Sequence, residues 1–260
     1  MTTDSSDQEW DGAELRVHSE HWAERVIFIE ECGSTNDEAR KLALGGLAHE
    51  SLVLTERQTS GRGRRGQAWT CPPGESIAAS FIVRPSEPLA LWGRLSLAAG
   101  LAVAEALDQF GLSAEVKWPN DVWVKERKVC GILLESDPAF AVIGIGLNVN
   151  TRDFPEGLVH PATSIALETG GEVSREEVLV AMLDRLSFRT QQIGSSFSEL
   201  LDSWNTRCVL RGREITLQVN RESRVGVMRG VAPSGELLLE TKNGTEKILH
   251  ADTIRLTSSS

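Results

Sequence analysis

At 260 residues, 40% of them hydrophobic, the chain is long enough for one large domain or for a domain plus a small module, each with a packed core. A formal net charge of -10 repels polyanions except at a locally basic surface, which disfavours general nucleic-acid binding. No apolar run approaches the roughly 18 residues of a membrane span, residues 1–9 are polar and acidic without a signal-peptide stretch, and Cys32, Cys71, Cys130 and Cys208 lack C-x-x-C spacing. The expectation is a cytoplasmic protein with reduced structural thiols, no membrane attachment and no zinc site.

Residues 1–24 read as an N-terminal arm, loose or partly helical, and the core begins at Arg25. Residues 26–29 form a strand that runs into Ser34-Thr35-Asn36. There Thr35 and Glu38 have capping-box spacing, and Ala39, Leu42 and Ala43 give a helical face ended by Gly45-Gly46. Strands are predicted at 51–55 and 76–83, and an alanine-rich helix at 95–110 stops at Gly111. Residues 115–118, 122–125, 129–135 and 139–149 then follow as apolar runs with no helix between them, so antiparallel hairpins are expected. A Rossmann fold is disfavoured, because Gly144-Ile145-Gly146 lacks the third glycine and opens no helix.

Ser174 and Glu177 open a helix with Val178, Leu179, Met182, Leu183 and Leu186 on one face, and a second helix runs from about residue 196 to Trp204. Beyond Arg211, short strands alternate with the turn signals Pro233-Ser234-Gly235 and Asn243-Gly244, the pattern of a small β-barrel. The predicted class is α+β: a mixed, mainly antiparallel sheet with packed helices, in residues 25–208, and a β-module in residues 209–257.

Residues 58–66, Gln-Thr-Ser-Gly-Arg-Gly-Arg-Arg-Gly, alternate glycine and arginine. Glycines at 61, 63 and 66 let backbone N–H groups approach an anion, and Arg62, Arg64 and Arg65 offer bidentate forks. Alone, this is either an anion clamp or a solvated basic loop. With Lys117-Trp118-Pro119-Asn120-Asp121 and the basic hairpin at 125–128, it concentrates positive charge on a scale that suits a small polyphosphate better than a duplex.

The ordered set Gly33-Ser34-Thr35-Asn36, GRGRRG at 61–66, KWPND at 117–121, RKVCGIL at 127–133, Gly144-Ile145-Gly146-Leu147-Asn148 and Ala162-Thr163-Ser164-Ile165 resembles the biotin-protein ligases, and it spans about half the chain. The resemblance implies the class II aminoacyl-tRNA synthetase/biotin ligase-like fold with a C-terminal SH3-like β-barrel. It also implies activation of biotin by ATP to biotinyl-5'-AMP, followed by transfer to a lysine of a biotin carboxyl carrier protein, such as that of acetyl-CoA carboxylase. Mg2+ is expected with the nucleotide. Lys128 matches the family lysine at the reacting centre, with Arg64 and Asp121 as the other catalytic residues.

Ser34, Thr35, Asn36, Gln58, Arg62, Gly63, Arg64 and Lys128 are expected to bind biotin. Arg62, Arg64, Arg65, Trp69, Lys117, Asn120 and Asn148 are expected to bind the nucleotide. Trp69, Trp118, Ile132 and Leu133 serve as apolar walls or as ordinary core. Ser34 or Thr35 also reads as a helix cap, and Asp121 as a metal holder, an orienter of Lys128 or a base. Arg255 is either a surface residue or one directed at the nucleotide. The loop at 58–70 is expected to order over the adenylate once an anion offsets its arginines.

The 33 residues before the Ser-Thr-Asn motif are too short and acidic for a helix-turn-helix, so a DNA-binding regulator is disfavoured. Lipoate-protein ligase is the neighbouring enzyme reading, and a non-catalytic biotin-responsive module is the third. A monomer or a homodimer suits the sequence equally.

Overall fold

The computed structural model describes Trp10 and residues 12–256; residues 1–9, 11 and 257–260 lie outside the described residues, with the acidic opening and the last position of the expected C-terminal module. Helices α1 (Gly12–His18) and α2 (Glu20–Ala23) occupy the region predicted as a loose or partly helical arm. They are docked rather than loose. Leu15 and Trp22 are buried, and the Trp22 Nε1–H donates to Asp184 Oδ1 at 2.6 Å, on a later helix.

The main sheet has seven strands in the order β1-β2-β3-β7-β6-β5-β4. They are β1 (Val26–Cys32), β2 (Leu52–Gln58), β3 (Ser76–Val83), β4 (Glu115–Lys117), β5 (Asp121–Val124), β6 (Arg127–Asp137) and β7 (Phe140–Asn148). Only β1 and β2 pair in parallel, and α3 (Thr35–Leu44) makes the crossover such a pair requires. The remaining pairs are antiparallel, and for β4 to β7 this is what their helix-free succession predicts.

Both faces of the sheet are covered, which explains why every residue of β3 and β7 is buried. On one face α4 (Arg94–Asp108), α6 (Arg175–Ser195) and α7 (Phe197–Arg207) pack over Leu52, Leu54, Phe81 and Ile132. The alternate side chains Val53, Ile82 and Val142 meet Ala39 and Ala43 of α3 on the other. The predicted cap at Ser174 forms, its Oγ accepting from the Glu177 N–H at 3.1 Å. A helix of five residues, α5 (Ile165–Thr169), intervenes between β7 and α6.

The expected capping box at Thr35 does not form. Ser34 occupies the N-cap without a side-chain cap bond, and Thr35, one residue inside the helix, turns to Gln58 instead.

The C-terminal strands β8 (Glu214–Val219), β9 (Glu222–Val231), β10 (Leu237–Thr241), β11 (Gly244–Ile248) and β12 (Thr253–Leu256) form an antiparallel sheet in the order β11-β10-β9-β8-β12. Its outer strands do not pair among the described residues, so the sheet is open and not the closed barrel expected from the turn spacing. It shares one apolar core with the main sheet, through Ile215, Leu217, Met228, Leu237 and Ile254. Asn205 of α7 latches it by accepting from the Val231 N–H at 3.0 Å. Among the described residues no helix is long and apolar enough to cross a membrane.

Candidate active site

A cavity opens where the ends of β1 and β2 and the start of β5 meet the middle of β6 and β7, roofed by side chains between Arg62 and Trp69 and bordered by residues 251–254 of the C-terminal segment. One end is a buried polar cradle. Parallel pairing sets Cys32 opposite Gln58, so the start of α3 faces the end of β2. Gln58 Oε1 accepts from the Thr35 N–H at 3.0 Å and from Thr35 Oγ1 at 3.2 Å, which leaves the Gln58 amide N–H groups as donors. Ser80 Oγ of β3 lies 2.8 Å from Thr35 Oγ1 and 2.6 Å from Asn36 Oδ1. Asn36 Nδ2 donates to Glu135 Oε2 at 2.8 Å, so its amide is fully engaged and props the cradle from behind.

The glycine-arginine loop is closed on itself by the Gly63 N–H to Gln67 O bond and the Trp69 N–H to Gly61 O bond. A 3-10 turn, Arg64–Gly66, puts Arg65 at φ 58 and Gly66 at φ +73, the left-handed region where glycine costs least. The three arginines border one cavity with Lys117 and Lys128, and acidic side chains pair with two of them. Arg62 is gripped bidentately by Asp37 at 2.6 Å and reaches Glu135 at 3.3 Å. Its hydrogen bond to Asp37 holds that carboxyl below the usual range. Arg65 pairs with Asp252. Among the described residues Arg64 is the one of the three with no carboxylate at ion-pair distance; its Nη1 lies 3.4 Å from Asn120 Oδ1, with its proton affinity lowered by burial and by Arg65 while Asp121 opposes.

Lys128 enters from β6, its Nζ 2.7 Å from Asp121 Oδ1. Its backbone is fixed on both sides, its N–H donating to Pro161 O at 2.8 Å and its carbonyl accepting from the Thr163 N–H at 2.9 Å. Asn148 supports that second strap, donating from Nδ2 to Thr163 O at 3.0 Å, and it does not line the cavity.

Lys117, at the end of β4, is almost wholly buried. Its Nζ lies 3.1 Å from His160 Nε2 and 4.0 Å from the Trp123 ring centre, with no carboxylate at ion-pair distance among the described residues. Burial pushes this amine down to about 8, and burial with the neighbouring lysine takes His160 down to about 4.

Trp69 lies flat on Gly131 and Gly146, which face each other across β6 and β7. A Cβ at Gly146 would sit 2.2 Å from the indole, and one at Gly144 would sit 2.3 Å from Asn36 Oδ1. Trp69 Nε1 is buried without a partner among the described residues. Ser34, Gly63, Trp118, Asn120, Ile132 and Leu133 also line the cavity.

The sequence reading missed His160, which carries no motif, and residues 251–254. The string Asp252-Thr253-Ile254-Arg255 attracted notice for its arginine, yet Arg255 is exposed off the lining while its predecessors border the cavity. Among the described residues no cluster of three His, Cys, Asp or Glu could hold a metal.

The cavity joins a hydrogen-bonding cradle to a set of cations, an arrangement for a neutral polar head group with an anionic tail. The model for the biotin/lipoate A/B protein ligase family matches residues 30–150. The chain is 34% identical over 231 residues to the biotin--[acetyl-CoA-carboxylase] ligase of Paracoccus denitrificans, covering 84% of this chain and 95% of that protein. It is 31% identical over 245 residues to the bifunctional ligase/repressor of Bacillus spizizenii, covering 91% of this chain and 75% of that one. Biotin protein ligase from Aquifex aeolicus, solved in complex with biotin and ATP, matches with a TM-score of 0.79 at 31% identity over 90% of this chain and 99% of that chain. The chain belongs to the biotin/lipoate A/B protein ligase family, among its biotin--protein ligases.

Proposed function

We propose that this protein activates biotin with ATP and transfers the biotinyl group to a lysine of a biotin carboxyl carrier domain in the cytoplasm. The observation that carries the reading is the Thr35–Gln58 cradle set across one cavity from Lys128, Lys117 and Arg64. In the first step a biotin carboxylate oxygen bonds to the α-phosphorus of ATP, the α–β anhydride bond breaks, and pyrophosphate leaves. The acceptor amine then attacks the acyl carbon, and AMP leaves as its proton is lost.

The ureido ring has two N–H donors and a carbonyl acceptor, each of which would forfeit roughly 1–3 kcal/mol if buried unpaired. Ser34, Thr35 and Gln58 supply complementary groups. Lys128 neutralises charge between carboxylate and α-phosphate, the main obstacle when an anion attacks a polyanion. Its ion pair with Asp121 supports the orienting role for that carboxylate over the metal-holding one. Arg64 and Lys117 act on the phosphates, and Trp69 and Asn120 bound the nucleotide. Gly63 closes the loop on itself, its N–H donating to Gln67 O, while Arg62 and Arg65 act indirectly by fastening the loop to Asp37 and Asp252.

Mg2+ arrives with ATP, since magnesium commonly binds through substrate phosphates with few protein ligands, and it supplies charge masking there. The open C-terminal sheet is read as the family's SH3-like module, and its part in the site is the border around Asp252.

The test is isotope exchange between pyrophosphate and ATP, expected only when biotin is present. Exchange that is independent of biotin, or absent with it, refutes the assignment. Loop closure has a separate readout. Trypsin should cut between Arg62 and Arg65 in the free protein, more slowly with biotin and barely with biotin plus ATP; equal cutting in all three conditions removes the loop from the ligand site.

A further inference from the structure

Lys117 is a buried ammonium with no carboxylate at ion-pair distance among the described residues, so something else must hold its proton and its direction. The structure assigns that task to His160: a neutral imidazole that accepts from Lys117, aims it at the nucleotide phosphates, and thereby sets the alkaline limit of ATP use. This rests on the function proposed above. Lysine can only donate, so the 3.1 Å contact requires an unprotonated His160 Nε2, with the ring proton on Nδ1. Trp123 fixes both members of the pair, its ring 4.0 Å from Lys117 Nζ and edge-on to the imidazole at 5.2 Å. The histidine reaches the site from the segment between β7 and α5, whose Pro161 and Thr163 also strap the Lys128 backbone.

The groups that face the pair set the sign of its titration. Asp121 on β5 favours the charged lysine and Lys128 on β6 disfavours it, while Arg255 on β12 adds to the forces that keep His160 neutral. The lysine's proton is therefore fully held below pH about 8 and lost as pH rises through that value. A bound triphosphate stabilises the protonated form, so kcat/KM for ATP should be flat toward neutral pH and fall by as much as ~tenfold per unit above the limit. Removing the acceptor takes away a hydrogen bond to the charged form and leaves burial in place. The limit must then move toward lower pH.

The experiment is the pH profile of biotin-dependent ATP–pyrophosphate exchange for the wild type, His160→Phe and His160→Gln. His160→Phe keeps a ring against Trp123 and is expected to shift the alkaline limb down by about one pH unit, raising KM for ATP roughly fivefold at pH 8 with kcat and KM for biotin within about twofold. His160→Gln supplies an amide oxygen as acceptor and should restore the wild-type limb. Superimposable profiles for wild type and His160→Phe overturn the inference, as does a glutamine variant that behaves like phenylalanine, or a loss of kcat with an unmoved limb. Wild-type protein with no biotin-dependent exchange would instead fail the functional reading, which separates the two.

Discussion

Replacing Lys128 by alanine is expected to slow formation of the adenylate by roughly 100-fold or more, the scale for losing one preorganised stabiliser of a charged transition state. Two effects add in the same direction. The variant loses the cation between two anionic reactants, and it also leaves the Asp121 carboxylate, 2.7 Å from the missing ammonium, as an uncompensated negative charge inside an anion site. The second part is separable. Lys128→Ala combined with Asp121→Asn should recover several-fold of the lost rate, whereas Asp121→Asn alone should slow the wild type by misaligning the lysine. Because the charge acts on the chemical step, single-turnover rates should fall much more than biotin affinity. Near-wild-type adenylation in Lys128→Ala would take this residue off the reaction path.

Gly146→Ala is expected to be the most damaging of the small substitutions. Its backbone accepts alanine without torsional strain, so the effect is steric. The new Cβ would meet the Trp69 indole at 2.2–2.6 Å, distances that real contacts do not reach. The clash cannot relax from below, since β7 is buried between β3 and β6 with every residue covered. Trp69 must therefore lift, and with it the loop that carries Arg64. Overpacking of this kind costs about 1–3 kcal/mol, which corresponds to roughly a 5- to 150-fold loss in the closed loop's population and in ATP affinity. Trp69→Ala should weaken ATP binding on its own but make Gly146→Ala nearly silent when the two are combined, a non-additivity that assigns the damage to this one contact. Gly146→Ala with an unchanged KM for ATP would show that Trp69 does not cover the nucleotide.

The parts legible in sequence were those with short-range physical causes. Helix-free succession of four apolar runs forced the hairpins from β4 to β7, and Ser174 with Glu177 placed the start of α6. Motifs at residues 34–36, 58–69, 117–121 and 128 met in one cavity because parallel β1 and β2, and antiparallel β5 and β6, bring their ends and middles together.

Pairings across long separations were not legible. Three arginines in four residues look equivalent on paper, and nothing local marks Arg62 for Asp37 and Glu135, Arg65 for Asp252, and Arg64 for Asn120. His160 lies in an unpatterned segment 43 residues from the lysine it touches. Asn148 drew attention by its glycine-flanked motif, and nothing local marks its Nδ2–H for Thr163 O. The turn spacing after Arg211 predicted strands correctly but could not report whether the outermost two would pair.

The central claim is that this cavity makes a biotinyl adenylate and delivers it to a carrier lysine. Intact-mass spectrometry of an apo carrier domain, incubated with the protein, MgATP and equal concentrations of biotin and lipoate, tests it most directly. The account predicts that the carrier gains the mass of one biotinyl group at a single lysine, with AMP and pyrophosphate released in equal amounts and no lipoyl product. A carrier that stays unmodified, or that gains lipoyl as readily as biotinyl, would contradict it.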